Sequence, residues 1–285
     1  MKAGQIVDAI LAHSDIGHRL EKTCDVYASG GPDTPVNGIV TTFMATAGVI
    51  KKAIELNANM IVTHEPTFFT GWDSTEWLAE DSVYLAKKKL IEENNIVIWR
   101  YHDHMHMKKP DAIYEGLIEE LGWQELRAET EDKPQGTGPK DFNAFISGFR
   151  DMWDIPETTL AELAVFFKEK LQMDVIQLVG DPSMKVGRVG ILVGGGSLGL
   201  GREEMPMQIM ERHHIDVMVC GEITEWTLCS YVNDAVNLGF NKALIIAGHE
   251  RTEEWGMKHM AQWLKPLVPG LPVHFADAGE PFVYL

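Results

Sequence analysis

The alternation of short, β-branched apolar runs with segments of helical periodicity is what most constrains the fold of this chain. In the first half, runs at residues 38–42, 60–63 and 96–101 predict strands, and residues 45–56, 81–93 and 111–121 predict the helices that follow them. Strands that are separated by helices form βαβ units, in which neighbouring strands run parallel. The first half therefore predicts a largely parallel sheet.

The second half repeats this alternation. Strands are predicted at residues 189–193, 217–220 and 243–247, and helices at 158–171, 203–212, 225–238 and 253–264. Thr159 precedes Glu162 by three residues, which predicts a capping box at the first of these helices.

The two halves predict an α/β protein with two similar α/β lobes, each a mixed, largely parallel sheet flanked by helices. A polar stretch rich in Gly, Pro and charged residues separates the halves. We expect an N-terminal lobe at 1–127, a loop or linker at 128–140 and a C-terminal lobe at 141–285, with the last residues of the chain as candidates to complete the N-terminal lobe.

The amino-acid composition argues against several classes of binding partner. The formal net charge is −17, from 42 acidic and 25 basic side chains among 285 residues, which disfavours binding to nucleic acid or to anionic membranes. Cys24, Cys220 and Cys229 are scattered, as in proteins of a reducing cytosol. We find neither a signal-peptide pattern nor an apolar run of about 20 residues, the length of a membrane span. We therefore expect a cytoplasmic protein.

Imidazole and carboxylate groups follow two predicted strands of the first half. His64-Glu65-Pro66 comes directly after the 60–63 strand, and His102, His104 and His106 come after the 96–101 strand. Open α/β sheets bind ligands at these strand ends. In an extended conformation the three alternating histidines would line one face, and buried unpaired imidazoles are costly. The pattern of three histidines favours a metal or catalytic site, although similar runs occur in incidental surface metal sites. His64-Glu65 taken alone is more typical of an exposed polar loop.

A second donor pair follows the last predicted strand of the second half. His249 and Glu253 are four residues apart and would stack on the first turn of a helix that begins near Glu250.

Glu222 also follows a predicted strand, where a pocket acid could lie; the alternative is that Thr224 or Glu225 simply caps the next helix.

The stretch from Gly194 to Gly199 fits the GxGxxG pattern of dinucleotide-binding folds. The helix that follows carries Pro206, and Asp216 opens the next strand instead of ending it. We therefore favour a tight turn, or a backbone cradle for a phosphate or carboxylate, over a nicotinamide or flavin site.

Several of these stretches, in this order, resemble the dinuclear-metal-centre family of NGG-one-interacting-factor-three-like proteins, whose members are also labelled GTP cyclohydrolase type-2 homologues. The stretches are Ile61-Val-Thr-His64-Glu65-Pro66, Val193-Gly-Gly-Gly-Ser197, Gly221-Glu222 and Ala247-Gly-His249 with Glu253. The resemblance implies two similar α/β lobes, ring-like or cage-like hexamers, and metal pairs that face the interior of the assembly.

The resemblance also implies a ligand set, which here reads His64, Glu65, His106, His249 and Glu253. Glu65 stands where the family usually has a second histidine, and His106 stands where it has an aspartate. The two departures compensate each other, since the total remains three imidazoles and two carboxylates.

We therefore predict a cytosolic metal-dependent hydrolase with two divalent ions (Zn, Fe or Mn), about 3.5–4 Å apart as in known two-metal sites. Glu253 would bridge the ions, and His102 and His104 would orient ligands or relay protons. Glu222 and the Gly194 turn would help to hold a small-molecule substrate that the sequence does not identify. If Glu65 and His106 point elsewhere, a single-ion site remains. The alternative function is a non-catalytic metal-binding scaffold or regulatory protein that acts as a hexamer.

Overall fold

The computed structural model describes residues 1–129 and 142–285. Most of the linker predicted at 128–140 lies outside these described residues. The chain forms two compact units. The first unit comprises Met1–Leu117 with Glu253–Pro281, and the second comprises Ile118–Thr252 with Phe282–Leu285.

The first unit contains a mixed sheet of five strands in the order β1-β4-β3-β2-β10. Its strands are β1 (Tyr27–Ser29), β2 (Ile39–Thr42), β3 (Met60–Thr63), β4 (Val97–Arg100) and β10 (Val273–Phe275). All neighbours are parallel except β1, which runs antiparallel to β4. The last residues of each central strand are paired, Thr42 with Thr63 and Thr63 with Arg100, so β2, β3 and β4 end at the same sheet edge.

Helices flank the first sheet. They are α1 (Ala3–Ser14), α2 (Ala47–Glu55), α3 (Ser82–Glu93), α4 (Asp103–Met107), α5 (Ala112–Leu121) and α10 (His249–Leu264), of which α5 and α10 continue into the second unit. The side chains of Thr46 and Asp81 accept backbone N–H groups at the starts of α2 and α3. Ile50, Ile61 and Ile98 are fully buried in the core between sheet and helices.

The second unit contains a mixed sheet of five strands in the order β5-β7-β8-β9-β6. The three central strands are parallel, and β5 and β6 pair antiparallel at the two edges. These strands are β5 (Met152–Thr159), β6 (Gln177–Val179), β7 (Lys185–Leu192), β8 (Val217–Cys220) and β9 (Ala243–Ile246). The helices of this unit are α6 (Phe142–Ser147), α7 (Leu160–Lys170), α8 (Met205–Arg212) and α9 (Ser230–Asn237). The two sheets confirm the predicted α/β fold class.

Local details of the prediction agree with the structure in part. Thr159 and Glu162 form the predicted capping box at the start of α7. The last helix was predicted near 253–264, and the His249 and Glu253 pair was considered on a helix that begins near Glu250; α10 begins at His249, close to the second of these starts. The sequence missed the three-residue strands β1, β6 and β10, because strands this short carry no measurable periodicity. It also missed the eight-residue edge strand β5, which carries Pro156, a residue atypical of strand interiors. No helix within residues 1–129 and 142–285 combines the length and the apolar character needed to cross a membrane.

Candidate metal centre

The site in the first unit begins where β3 and β4 end. His64 follows β3, and Tyr101 and His102 follow β4. The chain bends at His64 and Glu65, whose N–H groups both donate to the carbonyl of Phe43, at 3.1 and 2.8 Å. Because of this bend, side chains that would point to opposite faces of a strand can serve one site.

The segment after β4 is a short helix, so the extended conformation predicted for His102, His104 and His106 is wrong. The first turn of this helix is stabilised by Asp25, which lies far away in the sequence. Its carboxylate accepts the N–H groups of the residues at positions 102, 103 and 104, at 2.8–3.0 Å, as a cap does at a helix start. His102 and His106 therefore lie one turn apart.

His104 is separated from the other two histidines by this helix geometry. Its Nδ1 lies 2.6 Å from Asp25 Oδ2, and its Nε2 accepts the N–H of Leu20 at 3.2 Å. Both ring nitrogens are therefore engaged in holding the loop that precedes β1. The structure does not bring His104 to the candidate centre, and its predicted role in relaying protons stays a prediction.

Three imidazoles, those of His64, His102 and His106, form a compact cluster. Their ring centroids are 4.7–5.0 Å apart, and one ring nitrogen of each lies within 4.8 Å of the others. His64 is fully buried, whereas the side chains of His102 and His106 each keep about a quarter of their surface exposed. This cluster joins His102, predicted only as an orienting residue, to two predicted ligands.

Each ring of this cluster is held through its Nδ1 atom. His64 Nδ1 lies 3.1 Å from the carbonyl oxygen of Tyr101, which can only accept a hydrogen bond, so His64 carries its proton on Nδ1. His102 and His106 place Nδ1 at 2.9 Å from Asp103 and Asp111 respectively. In the neutral rings the lone pair then lies on Nε2, which is how proteins orient histidines that bind metals.

The Nε2 atom of His64 supports the same conclusion. It is buried and accepts no hydrogen bond from the described part of the chain. A buried polar atom without a partner costs about 1–3 kcal/mol, so such atoms call for an explanation. A bound cation would supply the missing partner.

Two carboxylates border the imidazole cluster. Glu253, on α10, is buried and places Oε2 at 3.4 Å from His64 Nε2. Glu65 places Oε1 at 3.7 Å from His102 Nε2, and its Oε2 lies 3.0 Å from the guanidinium of Arg100. Arg100, which the sequence reasoning missed, also donates to the His64 carbonyl at 3.0 Å and so stiffens the bend. These donors, together with the imidazoles, fit Zn²⁺, Fe²⁺ or Mn²⁺.

The pKa values in the cluster reflect this concentration of charge. Burial acts to lower the pKa of His106, but the carboxylates of Asp111, Glu253 and Glu65 outweigh it and raise the pKa to about 9. Burial lowers the pKa of His102, and the hydrogen bond from His102 lowers the pKa of Asp103. A cation at His106 would therefore replace a proton, as metal ions do at protein ligands.

In the second unit, Glu222 and His249 form a pair of their own. His249 Nδ1 lies 3.0 Å from Glu222 Oε1, so this histidine too is held through Nδ1. Thr224 precedes a π-helical turn (Glu225–Cys229) without a capping bond from its side chain, so the alternative capping role fails for Thr224. That His249 is a metal ligand and that Glu222 lies in a substrate pocket both stay predictions.

The glycine-rich stretch of the second unit forms a tight turn, Gly194–Leu198, of 3-10 type. Gly194 N donates to the Thr252 hydroxyl at 3.0 Å, and its carbonyl accepts Glu222 N–H at 2.8 Å. A side chain on Gly221 would overlap the backbone of Gly194, so the glycines allow two backbone segments to touch.

The sequence model of one protein family, described as Duf34/NIF3 (NGG1p interacting factor 3), matches residues 20–281 of this chain. A Clostridium acetobutylicum protein named GTP cyclohydrolase 1 type 2 homolog is 26% identical over 225 residues, which cover 79% of this chain and 75% of that protein. A Staphylococcus epidermidis protein of the same name is 27% identical over 198 residues, 66% of this chain and 51% of its own length. The matched part of this chain thus spans about half the length of that relative.

A solved structure supports the fold. The crystal structure of a Bacillus cereus protein related to NIF3 superposes on this chain with a TM-score of 0.74. The match covers 100% of this chain and 99% of that chain at 18% sequence identity. At this level of identity the likeness establishes the architecture, and the chemistry must be argued from the residues.

Proposed function

Because this chain belongs to the Duf34/NIF3 (NGG1p interacting factor 3) family, and because its first unit carries a preformed donor cluster, we propose that it is a metal-dependent hydrolase. The observation that carries the proposal is the arrangement of His64, His102 and His106. The Nδ1 atoms of the three imidazoles are engaged, and one nitrogen of each ring lies within 4.8 Å of the others. Core packing alone does not explain this arrangement.

The ligands of the proposal are His64, His106 and Glu253, with Glu65 and His102 completing the donor set in the first unit. Three imidazoles and two carboxylates are sufficient donors for one divalent ion and for part of the shell of a second. His249, which the family resemblance implies as a further ligand, belongs to the same proposal. We expect two divalent ions, and Zn²⁺, Fe²⁺ and Mn²⁺ are the candidates.

Divalent ions in such a site activate water and polarise a carbonyl or phosphoryl oxygen. The residues of this chain contribute orientation and charge. Tyr101, Asp103 and Asp111 fix the three rings, and Arg100 holds Glu65 through one oxygen while the other faces His102. Because the pKa of His106 is raised, this ring can hold a second proton, and so a positive charge, near neutral pH when no cation is bound.

Three classes of substrate fit this proposal. The relatives carry a name that refers to a cyclohydrolase, and hydrolysis of a cyclic amide is one reaction that fits. Phosphoesters and nucleotides fit the same chemistry. We further propose that the protein acts in the cytosol as a hexamer, as the family resemblance implies, and native mass spectrometry would test this assembly.

The metal content of the purified protein tests the proposal. We expect stoichiometric divalent metal in the wild-type protein and its loss in the double variant His102→Ala/His106→Ala. His18→Ala is the matched control, since His18 is exposed and lies outside the cluster, and it should retain the metal. A wild-type protein that binds no divalent metal, or a double variant that keeps it all, would contradict the proposal.

Turnover distinguishes an enzyme from a scaffold. The metal-loaded protein should hydrolyse at least one compound in a panel of phosphoesters, cyclic amides and nucleotides with Mn²⁺, Fe²⁺, Zn²⁺ or Co²⁺. The activity should disappear in the double variant and persist in His18→Ala. Metal binding without any turnover would favour the non-catalytic alternative.

A further inference from the structure

We infer that a further cation position, suited to a soft divalent metal, lies beside the imidazole cluster and is formed by Cys24, His102 and Asp103. This position is additional to the ions of the proposed function and shares only His102 with them. One potential ligand atom of each of the three residues lies within 4.8 Å of the others. Thiolate, imidazole and carboxylate together are a donor set for Zn²⁺, Co²⁺ or Fe²⁺.

The Asp103 carboxylate is arranged as a ligand. Its Oδ2 accepts the Thr23 hydroxyl at 2.8 Å and the Cys24 N–H at 3.0 Å, and these bonds fix its orientation. Its Oδ1 faces two further groups, His102 Nδ1 at 2.9 Å and Cys24 Sγ at 3.3 Å. Two protons therefore converge on Oδ1, from the ring and from the thiol. A cation could take the place of both protons while Oδ2 keeps its partners.

The charge balance favours this exchange. When M²⁺ binds, the Cys24 S–H bond breaks and its proton leaves to solvent, while the proton of the neutral His102 ring moves from Nδ1 to Nε2. Bonds from the metal to sulfur, Nδ1 and Oδ1 then form. The thiolate and the carboxylate balance the two charges of the cation, and this avoids the large cost of an uncompensated buried charge. If Nε2 of His102 also binds an ion of the proposed centre, the ring proton leaves as well and the ring becomes an imidazolate that joins the two sites.

The exposure of two of the three groups allows a metal ion to reach this position. The side chains of His102 and Asp103 are 27% and 30% exposed, so a cation can reach them from solvent, while Cys24 is buried behind them. Burial also raises the pKa of the Cys24 thiol to about 12. A thiol of this kind is a poor nucleophile at neutral pH and ionises when a cation compensates the charge.

Cobalt titration of the full chain tests the inference, since Co²⁺ bound to thiolate gives a charge-transfer absorption in the near ultraviolet that nitrogen and oxygen ligands do not give. We expect this band in the wild-type protein and its loss in Cys24→Ser, which should also bind one ion fewer. Cys229→Ser is the matched control and should keep both the band and the stoichiometry, because Cys229 lies in the second unit, outside the donor groups of the described residues. Thermal unfolding of Cys24→Ser without metal would show that the variant is folded.

The outcomes separate this inference from the proposed function. Cobalt binding without a thiolate band would overturn the inference and leave the proposed centre standing. A band that survives in Cys24→Ser would also overturn it. Absence of any cobalt binding by the wild-type protein would overturn both. Loss of the band and of one ion in Cys24→Ser alone, together with loss of the proton that the wild-type thiol releases when that ion binds, would support the additional position.

Discussion

The two units use the ends of their parallel strands differently. In the first unit, β3 and β4 end in imidazoles and carboxylates that converge within 4.8 Å. In the second unit, the segments after β7 and β8 bring Gly194 and Gly221 into backbone contact, and Glu222 pairs with His249, which follows β9. The same sheet edge can thus concentrate donors or bring two main-chain segments together, and the side chains that follow each strand decide which.

The largest expected effect concerns the second unit, where Gly221→Ala should destabilise the protein by about 3 kcal/mol, the upper part of the usual cost of overpacking. The added Cβ would overlap the backbone of Gly194, which cannot move as a flexible side chain would. Denaturant unfolding measures this cost. Gly195→Ala is the control, since no atom lies within 4 Å of its added Cβ, and a similar loss in both variants would contradict the backbone-contact explanation.

The next effect concerns the donor cluster of the first unit. Asp111→Asn should weaken divalent-metal binding by about 10–100-fold, the usual result of losing a carboxylate behind a histidine ligand. Asparagine keeps an oxygen for the N–H of Ile113, so α5 keeps its start. Calorimetric titration with Zn²⁺ measures the affinity. Unchanged affinity would show that His106 is not a ligand. The control for the lost negative charge is Asp33→Asn, at an exposed position, which should leave the affinity unchanged.

A third prediction compares His104 with His102 and His106, the other two histidines of this segment. His104→Ala should cost about 1–3 kcal/mol of unfolding free energy, because it leaves the Leu20 N–H without its acceptor and removes the ring contact of Asp25 Oδ2, which keeps only the backbone N–H of residue 104. Its metal stoichiometry should equal that of the wild-type protein. Loss of metal from this variant, while it remains folded, would contradict the separation of His104 from the His102 and His106 pair.

The last expected effect concerns the pH dependence of stability at a buried lysine of the first unit, outside the donor cluster. Burial lowers the pKa of Lys87, on α3, to about 8. Between about pH 8 and the ordinary lysine value of about 10.4, the unfolded chain binds more protons than the folded one, so this residue makes stability rise with pH. Below that window the protonated amine lowers the stability of the folded state.

Lys87→Met should therefore remove part of the rise in stability across this window. Urea unfolding at several pH values, without metal, measures the difference from the wild-type protein. Lys89→Met is the control, because the Lys89 side chain is 72% exposed. Equal slopes in the wild-type protein and in Lys87→Met would contradict a buried amine at this position.

Most of the fold was predictable from the sequence, since the central strands of both sheets have strong apolar runs and lie within a few residues of their predicted bounds. The edge strands were missed. Three residues cannot show a period in β1, β6 and β10, β10 joins β2 from the far end of the chain, and the eight residues of β5 include a proline. His64 and Glu253, which local context and family resemblance predict as ligands, stay predictions in that role. The position of His102 and the helical turn of α4 depend on Asp25, a residue more than 70 positions away, and no local pattern around the histidines reveals it.

The most direct measurement of the central claim is a crystal structure of the metal-loaded protein with anomalous data collected at the absorption edge of the metal. We expect an ion at coordination distance from His64 Nε2 and His106 Nε2, with Glu253 as a carboxylate ligand. An ion that lies elsewhere, or the absence of an ion at saturating metal while the three rings keep their positions, would contradict the claim that this cluster is a metal centre.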